Sequence, residues 1–112
     1  MKPEWTKEFP TAITICDKNG IILEMNDKAA SSFAKDGGYD LIGKNLFDCH
    51  NPNSQNKINE LLNEKKVNVY TIEKNGKKKL IYQSPWYKNG ELKGLVEFSM
   101  EIPTEMPHFI RS

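Results

Sequence analysis

The sequence predicts an α+β domain built on an antiparallel sheet, and three observations support this fold class. The pair Asn19-Gly20 separates two short β-branched runs, at residues 12–16 and 21–25, as in a tight hairpin. Asn75-Gly76 and Asn89-Gly90 divide the last third of the chain in the same way. Helical periodicity lies between these two regions. The predicted order is therefore strand, strand, helices, strand, strand, strand.

A short helix is predicted directly after the first hairpin. Asn26 or Asp27 is a suitable N-cap, because a short side-chain oxygen accepts a hydrogen bond from the free N–H groups of the first turn. Gly37-Gly38 is expected to end the helix, since glycine readily adopts the left-handed conformation that commonly follows a helix. A further helical turn is predicted at residues 39–42.

The second helix has the clearest pattern in the chain. Ile58, Leu61 and Leu62 fall at positions i, i+3 and i+4, which places them on one face of a helix. Asn53 or Ser54 is the expected N-cap. The apolar stripe predicts a helix that packs against the sheet.

Three strands are predicted after the second helix, at residues 67–73, 78–87 and 92–102, and the two Asn-Gly turns join them into a meander. Prolines after the last strand favour an extended tail on the surface. The chain is expected to divide into an N-terminal segment at residues 1–8, one domain at 9–103 and a tail at 104–112.

Length and charge argue against several classes of function. With 112 residues the chain has room for one hydrophobic core, so the output is expected to come from a partner protein or a fused effector. The 16 basic and 15 acidic residues nearly cancel, and Arg111 is the only arginine, which argues against nucleic-acid or membrane binding. Cys16 and Cys49 form no Cys-x-x-Cys motif, and residues 1–10 lack a signal-peptide pattern. A cytoplasmic location is expected.

The order of elements, together with three short motifs, resembles the PAS domain family across residues 9–103. The resemblance implies a five-stranded antiparallel sheet in the order 2-1-5-4-3, with the helices on one face and a small ligand or cofactor between them. Because members of this family bind very different ligands, the residues must decide the function. The motifs are Ala12-Ile13-Thr14-Ile15-Cys16-Asp17 with Gly20, Ile22 and Asn26, then Gly43-Lys44-Asn45-Leu46-Phe47, and Ser84-Pro85-Trp86-Tyr87-Lys88-Asn89-Gly90-Glu91-Leu92-Lys93-Gly94.

Two cofactors of the family can be tested against the residues. Flavin photosensors carry a cysteine directly after Gly-x-Asn, whereas Leu46 follows Gly43-Lys44-Asn45 here, so flavin is not expected. Haem sensors place a histidine on or near the long helix, and His50 precedes that helix. His50 is therefore a candidate haem ligand, and the alternative is that it bonds the backbone of its own loop. Asp48, Cys49 and His50 are adjacent, which rarely lets all three face one ion, so no metal site is predicted.

Two orientations of the sheet are open from the residues alone. Alternation would make Val96, Phe98 and Met100 the core, since they are the more apolar set of the last strand. The resemblance implies the opposite orientation, in which Glu97 faces the helices and needs a hydrogen-bonding partner. The ligand-site candidates in this orientation are Cys16, Phe33, Phe47, Cys49, His50, Ile58, Leu62, Tyr70, Ile72, Ile81, Gln83, Leu95, Glu97 and Ser99.

In the same orientation an apolar patch covers the outer face of the sheet. A patch of this kind is unusual on a monomer and marks an interface. The N-terminal segment or a second copy of the sheet would cover it, so a homodimer is expected. The candidates for this dimer surface are Trp5, Phe9, Ile13, Ile15, Leu80, Tyr82, Val96, Phe98 and Met100.

The sequence thus favours a non-enzymatic sensor or interaction module that binds a small ligand and signals through its sheet or its dimer interface. Neither a nucleophile with an adjacent base nor a pair of carboxylates supports catalysis. Two alternatives stay open. One is a haem-based gas or redox sensor that uses His50, and the other is an interaction domain whose pocket is filled by its own side chains.

Overall fold

The computed structural model describes residues 4–45 and 52–112, with the backbone alone described for residues 52–55. Strands and helices follow one another in the predicted order. They are β1 (Ala12–Asp17), β2 (Ile22–Met25), α1 (Asp27–Ser32), 3-10 turns at Ala34–Asp36 and Gly38–Leu41, α2 (Pro52–Glu64), β3 (Asn68–Lys74), β4 (Lys77–Lys88) and β5 (Glu91–Ile102). In the described part of the chain, no helix is long and apolar enough to cross a membrane.

The strands form one antiparallel sheet in the order β2-β1-β5-β4-β3. The predicted α+β class and the strand order implied by the resemblance are both confirmed. The first and last strands, β1 and β5, pair with each other over the whole length of β1. Two hairpins that are distant in sequence are thereby joined into one surface, against which the helices pack.

Both turns of the β3-β4-β5 meander are the predicted Asn-Gly turns. Asn75 and Gly76 have φ angles of 55° and 76°, and Asn89 and Gly90 have φ angles of 54° and 80°. Positive φ at both central residues is typical of the type I′ turn, whose twist matches that of the flanking strands. The two turns therefore hold three long strands in a defined register.

The first helix is shorter than predicted. It ends at Ser32, and the 3-10 turn Ala34–Asp36 replaces the expected continuation towards Gly37. The further helical turn predicted at residues 39–42 is present as the 3-10 turn Gly38–Leu41. The N–H groups of Asp36 and Gly38 both donate to the carbonyl of Phe33, and Gly37 has a φ of 118°. The bond from Asp36 spans three residues, as in a 3-10 turn, and the bond from Gly38 spans five, as in a helix cap whose preceding residue is left-handed.

Asn26 is the N-cap of α1, and its side chain also anchors the N-terminal segment. Its Oδ1 accepts from the N–H of Ala29 at 3.0 Å and from that of Ile13 at 2.9 Å. Its Nδ2 donates to the carbonyls of Thr6 at 3.0 Å and Thr11 at 2.7 Å. One buried side chain thus ties together α1, β1 and the segment that precedes β1.

Two apolar clusters lie between the helices and the sheet. The first apolar cluster consists of Ala12, Ile22, Met25, Ala29 and Leu41, with Phe33 packed against it. The second apolar cluster consists of Cys16, Ile58, Leu61, Leu62 and Leu95. The second cluster contains the predicted stripe of α2, and Leu61 in that stripe is only 1% exposed.

Candidate ligand cavity

A cavity of about 480 Å³ lies between α1, α2 and the inner face of the sheet. Cavities of this size accommodate small organic molecules. Phe33, which packs on the first apolar cluster, and Ile58, a member of the second, form part of its wall. The described residues that line it are Ala12, Thr14, Ser32, Phe33, Lys57, Ile58, Asn68, Tyr70, Ile72, Lys74, Lys79, Ile81, Gln83, Glu97 and Ser99.

A row of polar side chains crosses the floor of the cavity. Strand register places Thr14 opposite Glu97, Glu97 opposite Gln83, and Gln83 opposite Asn68. We call these four residues the polar row. Gln83 Nε2 donates to Glu97 Oε2 at 2.8 Å, and Asn68 Nδ2 donates to Gln83 Oε1 at 3.0 Å. Because a carboxylate only accepts hydrogen bonds, Glu97 orients both amides.

The charge of Glu97 acts on other groups near the cavity. Burial raises the pKa of Tyr70, and the negative charge of Glu97 raises it further. Burial also raises the pKa of the Cys16 thiol, and the charges of Asp17 and Glu97 act in the same direction. Within residues 4–45 and 52–112, no ion pair joins Glu97 to a cation. Glu97 therefore faces the cavity as a carboxylate with acceptor capacity to spare.

Three lysines also line the cavity. Lys57 belongs to α2, Lys74 to β3 and Lys79 to β4. The ammonium of Lys57 lies 3.8 Å from the carboxylate of Glu60. Lys74 and Lys79 have no acidic partner among the residues that the structure describes. Lys79 precedes Gln83 by four residues on the same strand, so their backbones are about 13 Å apart.

Comparisons with known proteins identify the fold. No family model matches the chain, and no curated protein matches it. A PAS domain from Colwellia psychrerythraea superposes with a TM-score of 0.65 and 16% identity, over 88% of this chain and 92% of that one. A sensory box sensor histidine kinase from Vibrio cholerae superposes with a TM-score of 0.65 and 17% identity, over 89% of this chain and 88% of that one. The protein has the PAS fold.

A further structure with this fold is the Aer2 receptor from Vibrio cholerae, described as a dual PAS-heme oxygen sensor. It superposes with a TM-score of 0.60 and 21% identity, over 83% of this chain and 95% of that one. At this level of identity the similarity concerns the fold. The residues of the cavity must therefore be assessed in this PAS domain itself.

Eight of the ligand-site candidates lie on the wall of the cavity of this PAS domain. The orientation implied by the resemblance is thus the observed one, because Glu97 and Ser99 point to the helix side and Val96 and Phe98 alternate with them. The eight are Phe33, Ile58, Tyr70, Ile72, Ile81, Gln83, Glu97 and Ser99.

Three other candidates belong to the core. Cys16 and Leu95 of the sheet and Leu62 of α2 pack against one another in the second apolar cluster, at 2%, 2% and 6% exposure. They lie where α2 packs directly on the sheet, so we correct their assignment from cavity wall to core. The remaining candidates, which lie outside the described residues, are Phe47, Cys49 and His50.

Seven residues of the cavity wall were not among the sequence candidates. For those on strands, alternation provides a signal, because every second residue counted from Gln83 or Tyr70 faces the same side of the sheet. Ser32 and Lys57 lie on helices, and only packing decides their direction. The seven are Ala12, Thr14, Ser32, Lys57, Asn68, Lys74 and Lys79.

One candidate for the dimer surface on the outer face of the sheet, Ile13, is buried, whereas the aromatic candidates of the N-terminal segment are exposed. Ile13 is only 7% exposed within one chain, so it offers little surface to a partner. Trp5 and Phe9 contact each other edge to face, with ring centroids 5.5 Å apart, and remain 64% and 42% exposed. The N-terminal segment therefore does not bury its own aromatic rings on the sheet. The other candidates, which are all partly exposed, are Ile15, Leu80, Tyr82, Val96, Phe98 and Met100.

The described part of the PAS domain contains no cluster of three His, Cys, Asp or Glu side chains suited to a metal ion. Among the described residues of the cavity wall there is likewise no histidine. The candidate haem ligand, His50, lies outside the described residues. The polar side chains of the described cavity wall, among them Glu97 and the three lysines, offer hydrogen bonds and charge.

Proposed function

We propose that this PAS domain is a non-enzymatic sensor module that binds a small polar or amphipathic molecule in its cavity. The polar row carries the proposal, since a hydrogen-bonded floor beneath the apolar side chains of Phe33 and Ile58 is typical of small-molecule sites. Stability alone favours apolar residues there, because burying polar groups costs free energy. The binding of a ligand explains why they are present.

The proposed signal leaves through elements that touch both the cavity and the surface. Phe33 follows α1, whose N-cap Asn26 holds the N-terminal segment through Thr6 and Thr11. A ligand that displaces Phe33 would shift the population between two arrangements of α1 and of that segment. The receiver is a regulatory partner protein or a fused effector. The cytoplasmic location and the domain limits at residues 9 and 103 stay predictions.

We also propose that the module forms a homodimer through the outer face of its sheet. Tyr82 and Phe98 stack on adjacent strands of this face, with ring centroids 6.2 Å apart. Leu80 pairs with Met100 beside them, and all four side chains are partly exposed. Burying such a contiguous apolar surface in a second copy would gain free energy in proportion to its area.

Native mass spectrometry of the protein purified from its own host tests ligand binding. We expect a bound small molecule in the wild type and in Ser31→Leu, where the new side chain lies on the exposed surface of α1. Ser99→Leu, which fills the floor of the cavity, is expected to lose that molecule. A wild-type mass equal to that of the bare chain, with no compound that raises its melting temperature, would overturn the proposal.

Light scattering coupled to gel filtration tests the dimer. Phe98→Lys places a charge in the centre of the outer face and is expected to give a monomer. Ile110→Lys is the matched control, because this residue is 93% exposed in the tail. A wild-type protein that is monomeric at all concentrations contradicts the proposed dimer, as does a Phe98→Lys variant that still dimerises.

Haem is the second candidate ligand, supported by the likeness to the Aer2 receptor. The described residues of the cavity wall do not fit it, because none of them is a histidine and the wall carries the charged side chains of Glu97 and three lysines, whereas most of a haem macrocycle is apolar. A protein without Soret absorbance after haem addition excludes this function. A Soret band that disappears in His50→Ala would instead establish it in place of the first proposal.

The second alternative, an interaction domain with a pocket filled by its own side chains, predicts no cavity behind Phe33, Phe47, Ile58, Leu62 and Tyr70. The cavity of about 480 Å³ that Phe33, Ile58 and Tyr70 line supports the ligand-binding proposal over this alternative. A melting temperature that no small molecule changes would favour the filled pocket.

A further inference from the structure

From the charges around the cavity we propose that its ligand is a small zwitterion with an apolar body, whose protonated amino group binds Glu97 and whose acidic group faces Lys79. This inference rests on the proposed ligand-binding function and names the class of ligand. It depends on three observations about the described residues: the partners of Glu97, the hydrogen bonds of Gln83 and the position of the lysines.

The first observation is that Glu97 has no cationic partner among the described residues. A carboxylate has room for about four hydrogen bonds, and within the described part of the chain the side chain of Glu97 accepts one, from Gln83. It is only partly exposed, and no described cation pairs with it. Partial burial takes solvent away from a carboxylate, and an opposite charge or further hydrogen-bond donors compensate for that loss. An ammonium group provides both, because it carries three donors and a positive charge.

The second observation is that both polar atoms of the Gln83 side chain already have hydrogen-bond partners. Its Nε2 faces Glu97 and its Oε1 accepts from Asn68, so this amide has little freedom to turn towards a ligand. The directed chain of donors ends at Glu97. The free acceptor sites on the floor therefore select a ligand that donates hydrogen bonds, and they disfavour an acidic group at this position, where it would meet the charge of Glu97.

The third observation is the charge at the other side of the cavity. Lys79 is partly buried and has no acidic partner among the described residues, because Glu101 opposite it pairs with Lys77 at 3.4 Å. Lys74 lies on the adjacent strand at the same wall. These ammonium groups would repel a simple cation. A ligand that carries an acidic group there and an amino group at Glu97 satisfies both ends at once.

Apolar side chains line the cavity between these charges. Phe33, Ile58 and Ile81 offer hydrocarbon surface to the body of the ligand. The long, flexible side chain of Lys79 covers part of the distance to Glu97. Amino acids with apolar side chains and short apolar peptides are the members of this class that fit such a site.

Matched probes separate the roles of the two charges. Phenylalanine, phenethylamine and hydrocinnamate share one phenylethyl body. Phenylalanine carries an amino and a carboxyl group, phenethylamine carries only the amino group, and hydrocinnamate carries only the carboxyl group. Leucine, isoamylamine and isocaproate form the same series on an aliphatic body. Titrations are followed by NMR through the side-chain amide signals of Gln83 and Asn68, which report binding at the floor of the cavity.

We expect the zwitterion of at least one series to bind the wild type most tightly and the acid of that series to bind most weakly. In Glu97→Gln, where residue 97 still accepts from Gln83, affinity for the zwitterion and the amine should fall about ten-fold or more. Affinity for the acid should stay unchanged or rise. Glu91→Gln makes the same substitution at an exposed site on the same strand and should change nothing.

Three outcomes overturn the inference. They are an acid that binds as tightly as its zwitterion in the wild type, a Glu97→Gln variant that keeps the preference for amines, and no shift of the Gln83 amide with any of the six probes. The proposed function is tested separately, by native mass spectrometry of any small molecule that the purified protein retains. A neutral or acidic compound found in the wild type and absent from Ser99→Leu would contradict the zwitterion and leave the sensor function supported.

Discussion

The second apolar cluster and the polar row occupy neighbouring positions on the same face of the same strands, yet their composition is opposite. On β1 and β5 the cluster has Cys16 and Leu95, and two residues along each strand the row has Thr14 and Glu97. The cluster is closed by α2, whereas the row faces a cavity. The difference agrees with the proposed ligand binding, in which one region provides stability and the adjacent region gives up stability for recognition.

The largest effect is expected from Leu61→Ala, which opens a hole in the second apolar cluster. Leu61 is 1% exposed, so its loss removes buried surface and leaves a cavity, at a cost of about 2–5 kcal/mol in the free energy of unfolding. Leu23→Ala, at a residue 41% exposed, should cost about 0.5 kcal/mol. Urea denaturation measures both. Equal effects would mean that this cluster does not hold the fold.

Asn26→Ala is expected to have the next largest effect, at roughly 2–3 kcal/mol. The substitution removes the N-cap of α1 and leaves the carbonyls of Thr6 and Thr11 without their donor. Asn63→Ala, on the exposed side of α2, is the control and should be nearly neutral. If Asn26→Ala proves as stable as the control, the polar contacts near the sheet edge contribute nothing, and stability resides in the apolar clusters alone.

Smaller effects are expected in the polar row itself. Gln83→Leu deprives Glu97 of its hydrogen bond and should cost about 1–2 kcal/mol. The double variant Gln83→Leu/Glu97→Leu removes both partners and is expected to lie within about 1 kcal/mol of the wild type, or above it, since a buried polar pair is often replaced by apolar residues without loss. A double-mutant cycle measures the coupling. If the double variant lost as much free energy of unfolding as the two single variants together, the view that the polar row is kept for recognition would be contradicted.

The smallest effect is expected from alkaline pH, at a few tenths of a kcal/mol near pH 9. The pKa of Cys16 is raised by burial above its ordinary value of 9.0, so the unfolded chain releases this proton at a lower pH than the native one does. The free energy of unfolding should therefore fall as pH rises through 9, and Tyr70 should add to the fall above its ordinary value of 10.0.

Cys16→Ala tests the origin of this pH dependence. The variant is less stable at neutral pH because it leaves a small hole in the second apolar cluster, but its stability should change less between pH 8 and pH 10. Urea denaturation at several pH values compares the two proteins. An identical pH dependence in the variant would show that the thiol is not the group responsible.

The sequence by itself determined the elements of this PAS fold that depend on local physics. Asn75-Gly76 and Asn89-Gly90 form their turns because these residues accept positive φ, and Leu61 is buried because the apolar spacing matches the helical repeat. Asn26 caps its helix for a local reason as well. The end of α1 was misplaced, because the bonds to the carbonyl of Phe33 depend on how the following turns pack.

Only the tertiary structure decided which residues form the cavity. A strand alternates with a period of two, so Glu97 and Phe98 are equally able to face inward until the helices pack on one side. The same packing put Leu95 in the core and Glu97 in the cavity, although both point in one direction. It also brought Lys79 to the cavity wall. The charges that define the proposed ligand are therefore a property of the assembled sheet and helices.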